Sequence, residues 1–423
     1  MTLDRKQLAQ IADWEAVAVA ASLPWSTSAT SILLVVWLLT LPATLDVAMV
    51  RREVKTAAGA LPVLLWLLAA VGMLWAGVSW TERVQGLDGF HRLLAIPLLL
   101  AQFRRSENGV WVVYGFFASC VALMLASWTL LLATSWLTPD HITGIPVKDL
   151  ISQSSLCVIC AFALIWRVCD WLRERNWRWA LGLGGLALLF LANWVFVAMS
   201  RGDVGAVAFL AILFGWRQCR WKGAVLACVA AATLAAVGWT SSPYLRLRLS
   251  SAVEDVQAYR SMGVENDIGD HIEFFKKSMT FVRDAPLIGH GTGSIGDEFR
   301  RSAIGKTGAA GAPSVNPHNQ ILGVAIQLGL LGTALLLAMW VAHYFLFRTT
   351  GFTAWIGTVV VVQNVISSLT SSHLFDFMHG WLYVFGVGVV GGIMLRHGSA
   401  VPADYHGVRL EAVSRPAEAA SAE

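Results

Sequence analysis

The sequence has few charged residues. They make up 14% of its 423 residues, whereas ordinary soluble domains carry about 25%. Hydrophobic residues reach 56% and the mean hydropathy is +0.61. Apolar stretches of about 20 residues, the length that crosses the hydrocarbon core of a bilayer, recur along the chain. The composition therefore excludes a soluble globular protein and predicts an all-α polytopic membrane protein.

Three further features are missing from the sequence. The net charge of +4 is spread over many short loops, so no nucleic-acid-binding surface is indicated and no nucleic-acid partner is expected. The six cysteines fall in predicted spans or turns and avoid the longest loop, which argues against a disulfide framework. The opening Met1 to Trp14 is polar and no small-residue cleavage site follows the first apolar stretch, so no cleavable signal peptide is evident.

The apolar stretches predict about twelve membrane segments. The first is short, as in a re-entrant segment, and the others have the length of ordinary spans or slightly less. They are predicted near residues 15–25, 29–47, 58–80, 89–103, 109–136, 150–167, 179–199, 203–216, 223–240, 318–347, 352–370 and 379–395.

Basic residues follow these segments in alternate loops, and the intervening short loops are poorer in them. By the positive-inside rule the basic loops face the cytoplasm, and both termini are predicted to lie there. The basic loops hold Arg51, Arg52 and Lys55; Arg104 and Arg105; Arg167, Arg173, Arg175 and Arg178; Arg217, Arg220 and Lys222; Arg348; and Arg396.

The segments divide the chain into four parts. Residues 1–240 hold about nine transmembrane helices, residues 241–316 form one large external loop, residues 317–397 hold about three more helices, and residues 398–423 are predicted to be a disordered cytoplasmic tail. Within the large loop, Ile268 to Val282 shows apolar residues at helical spacing, which predicts an amphipathic helix on the membrane surface. The loop is also rich in lysine and arginine, which favours an anionic ligand.

The sequence SVNPHNQ precedes the long apolar run at 321–347. Asn316 is a suitable N-cap and Pro317 suits the first helical position, so a helix is predicted to begin there. His318 and Asn319 then fall in the first turn, where the helix dipole favours an anion and a neutral imidazole. These groups suit a general base acting near a phosphate. The alternative is a histidine that only hydrogen-bonds a neighbouring loop.

Arg201 lies in a very short turn between two apolar segments. An arginine at the centre of a span costs roughly 2.5–3.5 kcal/mol, whereas one near the boundary can extend its charged group to the membrane surface. Its planar guanidinium suits phosphate oxygens, whereas the alternative is an ion pair with Asp203. Arg92, at the start of the fourth segment, and Lys148, just before the sixth, are further candidates for an anion site.

Two motifs in the external loops have familiar spacings. Glycines 291, 293 and 296 form a literal G-x-G-x-x-G, but without a preceding strand they predict a turn that supports the His318 region or bends around a ligand. His373, Asp376 and His379 contain metal-binding residue types without a fourth ligand. Asp376 is better explained as the orienting partner or charge relay of a histidine. No metal site is predicted.

Three stretches together resemble the O-antigen ligase and polymerase superfamily of bacterial glycosyltransferases. They are Ser200–Gly202, the PLIGHG sequence at 286–291, and the NPHN sequence at 316–319 that leads into QLGLLG at 327–332. The resemblance extends over residues 80 to 395 or so. It implies a GT-C-type enzyme of the bacterial inner membrane, with the 241–316 loop and the active site in the periplasm and no cofactor.

The resemblance also implies a reaction. A lipopolysaccharide O-antigen ligase transfers polysaccharide from undecaprenyl diphosphate to a sugar hydroxyl of lipid A–core, with inversion and without a metal. His318 would be the catalytic base and Arg201 would bind the donor diphosphate. Asp376 sits where the family often has a functional acid.

Several further residues are predicted to bind substrate. Arg92 and Lys148 would assist Arg201, and Asn319 would contact substrate beside His318. Family members often carry an arginine before the amphipathic helix, where this chain has Asp270 and His271. His271 or Arg260 is therefore predicted to take that role.

The sequence is also compatible with three other functions. An O-antigen polymerase uses similar lipid-linked donors, and a protein O-oligosaccharyltransferase often carries an additional C-terminal soluble region. From a different class, a transporter or flippase of lipid-linked glycans would use intramembrane Arg, His and Asp as relay or substrate groups.

Overall fold

The computed structural model of the protein describes residues 4–133, 144–262 and 266–399, and this part of the chain is helical, with no strand. The tail predicted at 398–423 and the end of the segment predicted at 109–136 lie largely outside the described residues. The helices are α1 Arg5–Ser22, α2 Thr27–Thr44, α3 Val47–Val54, α4 Ala57–Gly72, α5 Trp80–His91, α6 Ala95–Arg105, α7 Gly109–Leu132, α8 Leu150–Arg173, α9 Trp177–Phe196, α10 Arg201–Ser241, α11 Pro243–Met262, α12 Asp267–Asp284, α13 Ile295–Ala303, α14 Gln320–Leu346, α15 Phe352–Ser367 and α16 Phe377–Ser399.

Seven of the described helices are long and apolar enough to cross a membrane, namely α2, α7, α8, α9, α10, α14 and α16. The count is eight if α3 and α4, which meet at 90°, form one broken span. The protein is therefore an all-helical polytopic membrane protein, as predicted. A helix coincides with each of the twelve predicted segments, but several are too short or too polar to count as spans. The first segment, for example, lies in α1, and the fourth is divided by a 3-10 turn at Arg92–Leu94.

Helix α10 folds back on itself near its middle. Cys219 and Arg220 leave the helical conformation. Gly215 and Gly223 would be about 12 Å apart along a straight helix, yet a Cβ on Gly215 would lie only 2.1 Å from the carbonyl oxygen of Gly223. The two legs therefore touch through their backbones. They correspond to the separate segments predicted at 203–216 and 223–240.

Helix α14 is interrupted at Gly329, which has a φ of 63°. An interruption within a membrane helix leaves backbone groups without their helical partners, and these must be paired by other protein groups. The chain segment 286–293, here called the docking segment, lies against the interruption and pairs them. The bonds run from His290 N to Ile326 O (2.8 Å), from Gly291 N to Gln327 O (2.9 Å), from Leu330 N to Pro286 O (2.8 Å) and from Leu331 N to Leu287 O (3.2 Å).

The other side of the docking segment is fixed to the end of α4. Thr292 donates from its backbone N–H to Gly72 O at 3.1 Å and from its hydroxyl to Ala69 O at 2.6 Å. Gly293 N donates to Oε1 of Gln327 at 2.8 Å. The G-x-G-x-x-G sequence is thus a turn that supports α14, the helix that follows His318.

The large loop between α10 and α14 has a small core of its own. Helix α12 contains the predicted amphipathic stretch 268–282, and its Phe274 and Phe281 both pack edge-on against Phe299 of α13, with ring centroids 5.3 Å apart. Ile326 of α14 joins this cluster. The loop is therefore anchored to the membrane helix that carries the interruption.

Replacing Gly289 with alanine tests the docking segment. Gly289 has a φ of 66°, and a Cβ there would lie 2.5 Å from the carbonyl carbon of Gln327. Gly305 is a matched control, because its φ is 73° but no atom lies within 4 Å of its Cβ position. The left-handed conformation costs roughly 1–2 kcal/mol for alanine at either position. Overpacking adds about 1–3 kcal/mol at Gly289 alone.

We therefore expect Gly289→Ala to lower the unfolding temperature in detergent clearly more than Gly305→Ala does. Equal shifts for the two variants would show that the docking segment does not bear on the stability of α14.

Candidate active site

The loop at residues 368–376, here called the bridging loop, joins α15 to α16 and receives the start of α14. Gln320 and Asn319 both donate to it, and it donates back. Because the pairs involve backbone as well as side-chain groups, the position of the NPHN sequence relative to this loop is closely fixed. The bonds run from Gln320 N to Ser368 O (2.9 Å), from Asn319 Nδ2 to Leu369 O (3.0 Å), from Leu374 N to Gln320 Oε1 (2.9 Å) and from Ser372 Oγ to Asn316 Oδ1 (2.7 Å).

Helix α14 begins at Gln320, and its N-cap is Asn319, whose side chain accepts from Leu322 N at 3.0 Å. The predicted start at Asn316 and Pro317 is therefore wrong by three residues. Asn316 is not a helix cap, because its Oδ1 accepts from the backbone N–H of His318 at 2.9 Å and forms a local turn. His318 takes a left-handed conformation with a φ of 52° and lies before the helix.

The imidazole of His318 packs against two side chains of α12. Its ring centroid is 4.3 Å from that of His271 and 5.8 Å from that of Phe274, whose plane is tilted from it by only 10°. The structure thus brings the predicted base next to His271, one of the two residues predicted to replace the family arginine. Arg260, the other, is exposed near the end of α11.

Arg201 is the first residue of α10, and its side chain is directed to α11. Its Nη2 donates to Ser251 Oγ at 3.0 Å and lies 3.6 Å from Oδ2 of Asp255. The alternative ion pair with Asp203 is not the one observed. A partly exposed ion pair such as that with Asp255 contributes about 0–1 kcal/mol, so an anionic ligand can replace it at little cost. The adjoining Gly202 packs against Thr370 of the bridging loop.

Asp203 is fully buried and joins three helices. Its carboxylate accepts hydrogen bonds from Ser155 of α8 at 3.1 Å, from Gln363 of α15 at 3.1 Å and from Ser367 of α15 at 2.8 Å. A buried carboxylate needs such partners. The sequence did not reveal this cluster, although the polar run SQSS at the start of α8 was a signal.

Asp376 and His379 form a close pair on the bridging loop and the start of α16. Nδ1 of His379 is 2.7 Å from Oδ1 of Asp376, which also accepts the backbone N–H of His379 at 3.0 Å. Nε2 of His379 is 3.2 Å from Oγ of Ser155. The order Asp–His–Ser matches a hydrolase triad. However, Ser155 is 0% exposed and also bonds Asp203, so it is not an accessible nucleophile.

The bridging loop shifts two pKa values. Burial acts to raise the pKa of Asp376, but the hydrogen bond from His379 and the nearby imidazoles outweigh it and hold this pKa well below its usual range. Burial lowers the pKa of His373, and the adjacent His379 acts in the same direction. At neutral pH the loop therefore presents an ionised carboxylate beside a neutral imidazole.

Arg92 and Lys148 approach the same loop but bind backbone carbonyls. The guanidinium of Arg92 donates to the carbonyl oxygens of Asp376 and, at 3.3 Å, Phe375. Nζ of Lys148 donates to the carbonyl of Leu23. Burial lowers the pKa of Lys148, while Asp376 acts to raise it. Arg92 therefore holds the bridging loop in place, whereas Lys148 is tied to the end of α1.

A cavity of about 350 Å³ opens beside the bridging loop and is here called the loop cavity. His318 and Arg201 are outside its wall, although Asn316 and Pro317 line it. Among the described residues, no group of three or more His, Cys, Asp or Glu side chains is arranged to hold a metal ion. The wall is formed by Asp149, Ile151, Ile295, Val315, Asn316, Pro317, Ser371, Ser372, His373, Phe375, Asp376 and His379.

Comparison with known protein families gave a match. Residues 186–337 match a family model described as O-antigen ligase (Wzy_C). The match covers 152 of the 423 residues and supports membership of the O-antigen ligase/polymerase superfamily. The matched stretch includes Arg201, the docking segment and His318, and it supports an enzyme of the O-antigen ligase or polymerase class. A search of curated proteins gave no match.

Replacing His373 tests the electrostatics of the bridging loop. A histidine pKa is about 6.5 in an unfolded chain, and folding lowers it here. Below that pH the unfolded chain binds a proton that the folded chain does not, so stability falls on acidification. The lowered pKa of Asp376 acts only below the ordinary carboxyl range and does not contribute at mild pH.

The unfolding temperature in detergent is therefore expected to fall between pH 7.5 and pH 5.5, and to fall less in His373→Asn. His397→Asn, an exposed position in the last turn of α16, should behave like the wild type. An identical acid response in His373→Asn would contradict the assignment of a buried neutral imidazole.

Proposed function

We propose that this protein is an O-antigen ligase that transfers polysaccharide from undecaprenyl diphosphate to a sugar hydroxyl of lipid A–core. One observation carries the proposal beyond the family match. The turn with His318 and the turn with Arg201 both adjoin the bridging loop, through Asn319 and Gly202 respectively. This arrangement supports a role for His318 as the general base and for Arg201 as the diphosphate ligand at one site.

The proposed reaction is a single displacement. The acceptor hydroxyl gives its proton to a ring nitrogen of His318, and its oxygen bonds to the anomeric carbon of the donor. The bond from that carbon to the diphosphate oxygen breaks, and its electron pair leaves with undecaprenyl diphosphate. The anomeric configuration is inverted because attack and departure occur on opposite faces.

The surroundings of both residues suit these roles. Stacking on Phe274 and His271 fixes the plane of the His318 ring, as a general base requires a defined direction for proton transfer. The guanidinium of Arg201 is bidentate by geometry and can exchange Asp255 for diphosphate oxygens, where it stabilises the developing negative charge. His271 lies beside His318 and is the structure-supported choice over Arg260 for contact with substrate.

The proposal includes a location. We propose about twelve membrane segments in a GT-C-type arrangement in the bacterial inner membrane. The alternation of basic loops supports a cytoplasmic location for both termini. Residues 241–316 and the bridging loop would then face the periplasm, where a lipid-linked glycan and lipid A–core meet.

The base is tested in a reconstituted transfer assay with undecaprenyl-diphosphate glycan, lipid A–core and a metal chelator. We expect chelator-resistant ligation by the wild type and a loss of about 10²–10⁴-fold in His318→Ala, the range for a general base. His397→Ala, an exposed histidine at the far end of α16, should retain activity.

Other products would point to other functions. Elongated lipid-linked glycans formed from the donor alone would indicate an O-antigen polymerase, and transfer to a protein would indicate an O-oligosaccharyltransferase. Movement of donor across the bilayer without a new glycosidic bond would indicate a transporter.

The role of Arg201 is tested by substituting Arg201 and its ion-pair partner Asp255 separately and measuring the kinetics with the donor. Arg201→Lys keeps the charge but removes the fork, so kcat/KM for the donor should fall tenfold or more, equivalent to about 1.4 kcal/mol. Asp255→Asn removes the carboxylate that competes with diphosphate and should lower the KM for the donor. If both variants raise the KM, the ion pair organises the loop and Arg201 is not the diphosphate ligand.

A further inference from the structure

The wall of the loop cavity, among the described residues, contains no lysine or arginine side chain. Two carboxylates, Asp149 and Asp376, lie on it, and the lowered pKa of Asp376 keeps that group ionised at neutral pH. Two like charges about 4 Å apart repel by about 4 kcal/mol at the effective dielectric constant of a protein surface. A phosphate group is therefore disfavoured in this cavity.

The nearby cations do not provide a phosphate site in the cavity, because each donates to backbone carbonyls and neither lies on the wall. Arg92 binds the carbonyls of Phe375 and Asp376 from behind the bridging loop. Lys148 binds the carbonyl of Leu23. From outside the wall they offset the charge of the Asp376 carboxylate electrostatically.

The polar groups that do lie on the wall suit uncharged hydroxyls. The side chain of Asp376 is 50% exposed although His379 holds one of its oxygens, so the carboxylate is oriented yet open to a ligand. The Ser372 hydroxyl donates to Asn316 and so presents its oxygen as an acceptor. His373 adds a neutral imidazole, 4.1 Å from the ring of His379.

Apart from Ser371, the rest of the wall is apolar. It consists of Ile151, Ile295, Val315, Pro317 and Phe375. Small-molecule pockets of roughly 300–1,000 Å³ combine apolar walls with a few oriented polar groups, and this cavity lies at the lower end of that range. A pyranose ring has the same division, with C–H groups on its faces and hydroxyls at its edge.

We propose that the loop cavity binds a neutral pyranose of a glycan substrate and that the diphosphate binds elsewhere. The proposal deepens the proposed function and rests on it, since a ligase must hold sugars of both donor and acceptor. Asp376 then contacts a sugar hydroxyl directly, and His379 holds its carboxylate in position. The cavity thus separates recognition of sugar from recognition of phosphate at Arg201.

Saturation-transfer NMR on the full chain in detergent tests this without any transfer reaction. The probes are methyl pyranosides and inorganic pyrophosphate. We expect saturation of the sugar ring protons by the wild type and no displacement by pyrophosphate. Ile151→Trp fills the cavity and should reduce the signal at least fivefold. Ile212→Trp on α10 is the control, because Ile151 is 44% and Ile212 is 42% exposed.

A second filling variant covers the case in which Ile151→Trp does not fold. Val315→Trp fills the cavity from a different residue of its wall, where the native side chain is exposed. Sugar saturation that survives in a folded filling variant, or that pyrophosphate abolishes, would overturn the proposal.

Transfer kinetics then identify the source of the sugar. A filling variant should raise the KM for lipid A–core alone if the cavity holds the acceptor sugar, and the KM for the lipid-linked donor alone if it holds the donor sugar. An unchanged KM for both substrates would overturn the proposal. If the protein transfers no glycan at all, the proposed function fails while the NMR result still decides whether the cavity binds sugar.

Discussion

The backbone of the bridging loop is paired by groups from several helices, and the candidate site depends on that pairing. Ser368 and Leu369 accept hydrogen bonds from the start of α14. The carbonyls of Phe375 and Asp376 accept from Arg92. Backbone groups away from water are costly when unpaired. The backbone groups of an irregular loop packed among helices therefore require such partners. The bonds from α14 hold the turn that carries His318 against the loop, and Gly202, next to Arg201, packs against Thr370 of the same loop.

The interruption of α14 is a second irregular feature on which the candidate site depends. Helix α14 is interrupted at Gly329, and the docking segment pairs the backbone groups that the interruption leaves. The large loop that provides this segment also provides α12, whose His271 and Phe274 hold the ring of His318. One loop therefore both stabilises the helix and orients the proposed base at its start. Interrupted membrane helices tend to line functional cavities, because only there is irregular backbone tolerated.

Much of the fold could be predicted from the sequence, because apolar length and helical spacing are local properties. The segments at 203–216 and 223–240 are the two legs of α10, and the stretch 268–282 lies within α12. The start of α14 was missed because Asn316 and Asn319 both suit an N-cap, and the choice depends on Ser372, more than 50 residues away in sequence.

The candidate site was less predictable for the same reason. His318 and Asp376 could be singled out by residue type and position, but their partners are remote. Arg201 pairs with Asp255 on another helix instead of Asp203 two residues away. Ser155 and His379 are 224 residues apart in sequence and meet only through the packing of α8 against the start of α16. No spacing rule within a single segment indicates such a contact.

We propose that the phosphate and the sugar of a lipid-linked glycan occupy different places around the bridging loop. An experimental structure of the full chain bound to an undecaprenyl-diphosphate glycan analogue would test this directly. We expect the diphosphate within hydrogen-bonding distance of the Arg201 guanidinium, with His318 beside the anomeric carbon. A diphosphate bound inside the loop cavity, or at a face of the protein remote from the bridging loop, would contradict this proposal.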